Sequence, residues 1–168
     1  LNFVLPGDII GLQSVMFNEM QHSVEMLTNG VLCIFQRDQL WKLYENHASL
    51  AYDVTWLACR SERMLDDQLL NVGRRSALER VAWVMLYLFD RARELKLNDG
   101  FRLKLPVTQT HIADALGLSL VHTNKTIQAL TRRGLIQWKD GMLRIVKIDA
   151  LNELAGFDLE HHMQRPLI

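Results

Sequence analysis

Residues 108–136 read TQTHIADALGLSLVHTNKTIQALTRRGLI, and the fold follows from how this stretch is parsed. Thr108 offers a side-chain oxygen just ahead of a helical run, the place of an N-cap. Ile112, Ala115 and Leu116 recur at helical spacing and give one apolar face. Ala113 is small enough for a second helix to cross closely. Gly117 is the expected stop, because glycine takes a left-handed backbone without penalty. Leu118 occupies the short turn, and Ser119 caps a second helix whose inner positions are Thr123, Ile127 and Leu130. Its other face carries Leu120, Val121, His122, Asn124, Lys125 and Gln128. Such a mixture at the start of a second helix suits the recognition helix of a helix-turn-helix, which enters the DNA major groove.

Working outward, Arg132 and Arg133 close the second helix and Gly134 ends it. Two strand-like runs follow, Leu135–Trp138 and Met142–Val146, on either side of Lys139-Asp140-Gly141. Asp-Gly between such runs is a hairpin signal. Helix, turn, helix and a two-stranded wing make a winged helix. Before it, Phe101–Leu105 alternates as a strand, and Asn98-Asp99-Gly100 reads as a turn. Upstream again, Ser76 with Glu79 three residues later has capping-box spacing. The helix it opens should be core, with Leu78, Val81, Ala82, Met85, Leu88 and Phe89 apolar and Trp83, Leu86 and Tyr87 widening the stripe. After the wing, Asp149 is the expected cap of a last helix, Ala150–Ala155, stopped by Gly156; residues 159–168 read as a loose tail.

The chain has 168 residues and a formal net charge of zero. That balance hides an asymmetry. Residues 1–72 hold 4 Lys/Arg against 9 Asp/Glu, residues 73–148 hold 14 against 6, and residues 149–168 hold 1 against 4. The basic segment is the one with the helix-turn-helix and wing, as phosphate neutralisation requires. There is no apolar run long enough to span a bilayer, and no signal-peptide pattern is present, so a cytoplasmic protein with no membrane partner is expected. Cys33 and Cys59 are far apart in sequence and form no Cys-x-x-Cys pair. Two buried or half-buried thiols are the expectation; a disulfide or thiol switch is the alternative.

A seven-residue repeat marks a long helix from about Ser49 to Val72, ended by Gly73. Val54, Ser61 and Gln68 repeat, as do Leu57, Met64 and Asn71, and Ala58, Leu65 and Val72. They form one stripe, with Asp53, Arg60, Glu62, Arg63, Asp66 and Asp67 opposite. A helix of about 24 residues spans roughly 36 Å, long for packing within its own domain. A two-helix homodimer seam through Val54, Leu57, Ala58, Ser61, Met64 and Leu65 is preferred. A short helix, residues 36–46, precedes it. Residues 1–35 read as strands and turns: Asn2–Leu5, the turn Pro6-Gly7-Asp8, then Val24–Leu27 and Val31–Phe35 around Thr28-Asn29-Gly30. That is too little sheet for an independent domain. With no methionine at Leu1, it reads as the end of a β-barrel or sandwich whose first strands precede this chain.

The order of these parts resembles the cyclic-AMP receptor protein and fumarate–nitrate regulator (Crp/Fnr) superfamily of bacterial transcription regulators. The specific pieces are LPVTQTHIADALGLSLVHTNKTIQAL at 105–130 and PGDIIG at 6–11 followed by a strand pair. The resemblance implies an α+β chain in three parts: residues 1–46 as the last part of a β-roll sensor domain, 47–73 as the dimerisation helix and 74–168 as the DNA-binding domain. It argues against cyclic-nucleotide binding. Family members that bind the nucleotide carry Gly-Glu and Arg-Ser pairs, whereas here Gly11 precedes Leu12 and His22 precedes Ser23. Leucine cannot accept a ribose hydrogen bond, and histidine lacks the guanidinium fork. No cofactor is expected, and the effector is not identified.

On the same resemblance, base-reading positions fall on Leu120, Val121, Asn124 and Lys125, with His122 and Gln128 as helpers. Lys125 can donate to guanine, and apolar contacts suit thymine methyls. Thr108, Thr110, Ser119 and His122 fall where the family contacts phosphate, and Arg132, Lys139 and Arg144 are further backbone candidates. The partners implied are double-stranded DNA, a second copy of the chain and RNA polymerase. A winged helix used only for protein contacts is the rival, less favoured for want of any explanation of the basic charge. A thiol redox sensor is a weaker one. Enzyme chemistry finds no support: there is no His-Glu-x-x-His, no glycine-rich phosphate loop and no Gly-x-Ser-x-Gly, and His111, His122, His161 and His162 are scattered.

Overall fold

The computed structural model describes residues 2–20 and 22–157. The expected tail and the His161-His162 pair lie outside the described residues. Contacts divide the chain into two compact units: among the described residues, 2–6 with 67–157, and 7–66 without residue 21.

The larger unit is built around α4, Ala77–Glu94, which follows Ser76. Every residue from Val81 to Ala92 is buried, so α4 is covered on all sides rather than along one stripe. It packs against α5, Gln109–Leu116, α6, Leu120–Arg132, and α7, Ile148–Ala155. Phe89, Met85, Leu86, Ile112, Leu116, Leu130 and Leu151 are all less than 2% exposed, and each such side chain contributes about 1.5–3 kcal/mol through burial. Four short strands complete the unit: β1, Asn98–Asp99, β2, Arg102–Lys104, β3, Ile136–Lys139, and β4, Met142–Ile145. They form one antiparallel sheet in the order β1-β2-β4-β3. Leu103, Leu143 and Ile145 supply its inner face. The α+β expectation holds here. Asn98-Asp99, expected within a turn, is a strand because Asn98 pairs with Leu103 and Asp99 with Arg102. Lys147, not Asp149, stands at the N-cap position of α7. The Val146 and Lys147 amides both donate to the Leu135 carbonyl, which pins the helix entry two residues earlier than expected.

The capping box at the head of α4 forms as expected. The Ser76 amide donates to Glu79 Oε2 at 2.6 Å, and the Glu79 amide donates to Ser76 Oγ at 3.4 Å. The bond from the Ser76 amide is the main cause holding the Glu79 carboxyl below its ordinary 4.5. A depressed carboxyl contributes stability above its unfolded pKa and loses it as pH falls through the folded value. Glu79→Gln keeps a box-forming amide but cannot titrate. Melting curves between pH 7 and pH 3 should therefore fall less steeply for this variant than for the parent. Ser76→Ala should cost about 1 kcal/mol at neutral pH.

Arg75, just before the cap, ties three elements together. Its guanidinium lies 5.6 Å from the Trp83 ring centroid, and its amino groups donate to Asn71 Oδ1 and to the Gly156 carbonyl, both at 3.3 Å. Burial lowers its pKa, against the opposing charges of Asp67 and Glu79.

The smaller unit is helical where it is regular. It contains α1, Leu12–Phe17, α2, Arg37–Asn46, and the first part of α3, Ala48–Arg74. The expected strands Asn2–Leu5, Val24–Leu27 and Val31–Phe35 do not form: no strand occurs among the described residues before Asn98. A strand needs neighbours for its backbone groups, and an isolated hairpin is marginal in water. Val31 is 91% and Ile34 90% exposed, so this hairpin has no second layer to rest on.

The helix α3 also departs from expectation at its end. It runs through Gly73 to Arg74, because Gly73 keeps a helical backbone and the Ser76 cap starts the next helix. Asp53, expected on the solvent side, is buried; it stands four residues before Leu57 and shares that covered side. Cys33 and Cys59 are both exposed rather than buried, Cys33 because its strand is absent and Cys59 because it stands on the outer side of α3. No helix among the described residues is long and apolar enough to cross a membrane.

Candidate nucleic-acid interface

The interface is assembled from α5, α6 and the β3–β4 hairpin. Thr108 caps α5: its hydroxyl oxygen accepts from the His111 amide at 3.2 Å, and His111 Nδ1 accepts from the Thr108 amide at 3.2 Å. Sequence reading placed the threonine but missed the histidine, which stands at the third helical position where Glu or Gln is usual. Gly117 takes φ 63° and ends α5, with its amide and that of Leu118 donating back to the last turn. Ser119 Oγ accepts from the His122 amide at 3.2 Å and opens α6. Between the helices, Ala113 is 2% exposed, the close crossing its size permits.

One side of α6 is fixed to the core. Thr123, Thr126, Ile127 and Leu130 are buried, and the Thr126 hydroxyl donates to the His122 carbonyl at 2.8 Å. The opposite side presents Val121, Lys125, Gln128 and Arg132, spaced i, i+4, i+7 and i+11, all exposed. Leu120 is 48% and Val121 65% exposed, unusual for apolar side chains unless something covers them. Asn124 is half-buried beside them, and Gln128 Nε2 donates to its Oδ1 at 2.9 Å. Of the four base-reading candidates, Leu120, Val121 and Lys125 thus stand fully outward, and Asn124 is committed in part to Gln128.

The phosphate candidates Thr108, Thr110, Ser119, His122, Arg132 and Lys139 are all exposed. The first turns of α5 and α6 carry no acidic residue. Their free amides and positive dipole ends therefore remain open to an anion. Asp114 is the one acidic residue between Leu105 and Lys139. The wing closes as a tight hairpin: Asp140 at φ 52° and Gly141 at φ 72° both take the left-handed backbone that such a turn requires. Lys139 is thereby held at its tip.

On α3, the dimer candidates are unevenly covered. Val54 and Leu57 are buried, Ala58 and Met64 half-buried, and Ser61 and Leu65 exposed. Leu69 at 72% and Val72 at 39% exposure continue the uncovered stripe.

Comparison with known proteins follows the same line. Residues 79–154 match the family of Crp-like helix-turn-helix domains. The chain is 31% identical over 156 residues to the transcriptional activatory protein AadR of Rhodopseudomonas palustris, covering 93% of this chain and 64% of that protein. It is 29% identical over 159 residues to the nitrogen fixation regulation protein FixK of Rhizobium meliloti, covering 93% and 68%. The structure of FixK2 from Bradyrhizobium japonicum is similar with a TM-score of 0.61 and 25% identity, over 70% of this chain and 58% of that one. The chain thus spans 64% and 68% of the two regulators. Residues 79–154, which hold the capped helix pair and its wing, thus match the Crp-like helix-turn-helix domain, and over most of its length the chain is similar to the regulators AadR and FixK.

Proposed function

We propose that this protein is a sequence-specific DNA-binding transcription regulator that acts as a homodimer, with α6 of each subunit in one major groove of a pseudo-palindromic site. The observation that carries this reading is the outward row Val121, Lys125, Gln128 and Arg132 on a helix whose other side is anchored in the core. Such a helix can present side chains to base edges without itself moving. The acid-free starts of α5 and α6 supply phosphate contacts that set register, with Thr108, Thr110, Ser119, His122, Arg132 and Lys139 as their side-chain complement. Leu120, Val121, Asn124 and Lys125 then read bases, by donation to guanine and by contact with thymine methyls. In the dimer, the stripe Val54, Leu57, Ala58, Ser61, Met64 and Leu65 faces its counterpart, and the two half-sites lie about 34–36 Å apart.

In this reading residues 1–46 belong to a sensor domain, 47–73 are the dimerisation helix, and 74–168 bind DNA. The protein works in the cytoplasm, and RNA polymerase is its further partner. The relatives named above, a transcriptional activator and a nitrogen fixation regulator, are consistent with this role.

The test is selection from a randomised duplex pool, followed by sequencing and a salt titration. A two-fold symmetric site whose affinity falls steeply with salt is expected. The absence of binding at any salt would instead favour a winged helix that contacts protein. Arg132→Ala should weaken binding to every sequence alike and reduce the salt slope by about 1.

A further inference from the structure

The first turn of α6 carries a pair of side chains that neither folding nor phosphate contact accounts for. Leu120 and Val121 are exposed, whereas Ile127 and Leu130 on the same helix are buried. A single exposed leucine or valine is ordinary on a protein surface. These two stand side by side at the head of α6, four residues before Asn124 and Lys125, at the end of a recognition helix that meets base edges. The surface around them is polar: Ser119, His122 and Lys125 are exposed, and no aromatic ring of the kind that anchors protein interfaces stands on α6.

The 13 residues of α6, LVHTNKTIQALTR, include no Asp or Glu. Reading cytosine or adenine in the major groove requires an acceptor for the exocyclic amino group. The Asn124 amide oxygen already accepts from Gln128 Nε2 at 2.9 Å. A cytosine or adenine beneath Leu120 and Val121 would bury its amino group without a partner, and a guanine would bury its two acceptors. An unpaired buried polar group is costly. The feature of a base edge that two branched aliphatic chains cover favourably is the methyl group at C5 of a pyrimidine. Burying one such methyl is worth about a factor of four in affinity.

We infer that Leu120 and Val121 together read the C5-methyl group of a major-groove pyrimidine, whether thymine or 5-methylcytosine, so that binding to a site with cytosine at this step rises when that cytosine is methylated. The inference deepens the DNA-binding reading and rests on it. Helix geometry sets the place of the methyl. Val121 and Lys125 share a face and stand about 6 Å apart along α6, and base pairs stack about 3.4 Å apart. The methyl therefore lies about two base steps from the guanine that Lys125 reads. Thymine is preferred to 5-methylcytosine, because the methyl is the same on both rings but the cytosine amino group finds no acceptor. The expected order has thymine first and unmodified cytosine last, with uracil and 5-methylcytosine between.

The experiment uses the whole chain and the selected duplex, with each thymine of the half-site replaced in turn by uracil, and in further duplexes by cytosine or 5-methylcytosine paired with guanine. At one or two positions the parent should bind thymine about fourfold more tightly than uracil per half-site, and 5-methylcytosine about fourfold more tightly than cytosine. The double variant Leu120→Ala with Val121→Ala should bring both ratios below about twofold at those positions, while keeping the parent's preference for the guanine read by Lys125. Both side chains are exposed and alanine favours a helix, so the melting temperature should not fall. A parent indifferent to the methyl at every position, an effect on thymine that 5-methylcytosine does not reproduce, or a double variant that keeps the parent's ratios overturns the inference and leaves the DNA-binding reading intact. A parent that binds no duplex at any salt overturns both.

Discussion

Phe89→Ala is expected to destabilise the larger compact unit by about 3–5 kcal/mol, the usual range for deleting a buried aromatic ring. Phe89 is 1% exposed in the middle of α4, and its ring stacks with Phe101 at a centroid distance of 6.4 Å and an interplanar angle of 10°. Because α4 is enclosed on every side, the surroundings cannot collapse without moving α5, α6 or α7. For a unit of this size the loss should lower the melting temperature by more than about 10 °C. Trp41→Ala is the control: Trp41 is 70% exposed on α2, and its removal should shift the midpoint little. Comparable shifts for both variants would mean that α4 is not the centre of the core. DNA affinity of the folded Phe89 variant, measured well below its midpoint, should stay near that of the parent, since the ring does not reach the exposed side of α6.

Lys125→Ala is expected to weaken binding to the selected site by about 1–3 kcal/mol and to relax preference at one base pair of each half-site. The ammonium stands outward in the row with Val121 and Gln128 and forms no ion pair among the described residues, so nothing in the chain has to be given up for it to meet a base. It is one step along the helix from the Asn124–Gln128 bond, which holds that neighbour's amide oxygen. Repeating the selection with the variant distinguishes roles. Information lost at one position marks a base reader, whereas the same loss on all sequences marks a phosphate contact and defeats the base-reading role of Lys125. Arg132→Ala, measured in parallel, supplies the second pattern.

The place of Lys125 was legible before any coordinates: Ser119 as cap, Gly134 as stop and the buried spacing of Thr123, Ile127 and Leu130 fix the phase of α6, and its outward side follows. The same holds for Thr108, for the Ser76–Glu79 box and for the Asp140-Gly141 hairpin. In each, the decisive interaction spans four residues or fewer. His111 escaped notice because a histidine completes the box less often than a carboxylate or amide does. That α4 is buried all round was only half legible, because periodicity reports one face and cannot show that α5, α6 and α7 cover the others.

Amino-acid order by itself determined the helix boundaries of the recognition motif, the wing turn and the concentration of positive charge in residues 73–148. These rest on local backbone preference and composition. Tertiary structure alone decided what depends on a distant neighbour. Val31–Phe35 has strand composition but no sheet to join, so it stays irregular. Gly73 is a stop signal that the helix passes, because the cap at Ser76 sets the break. Asn98-Asp99 looks like a turn and becomes a strand through pairing with β2. Arg102 and Arg144 are 42 residues apart in sequence, and only the strand register makes them a single patch. A residue's own chemistry is written in the chain, but the company it keeps across a sheet is set by which strands pair.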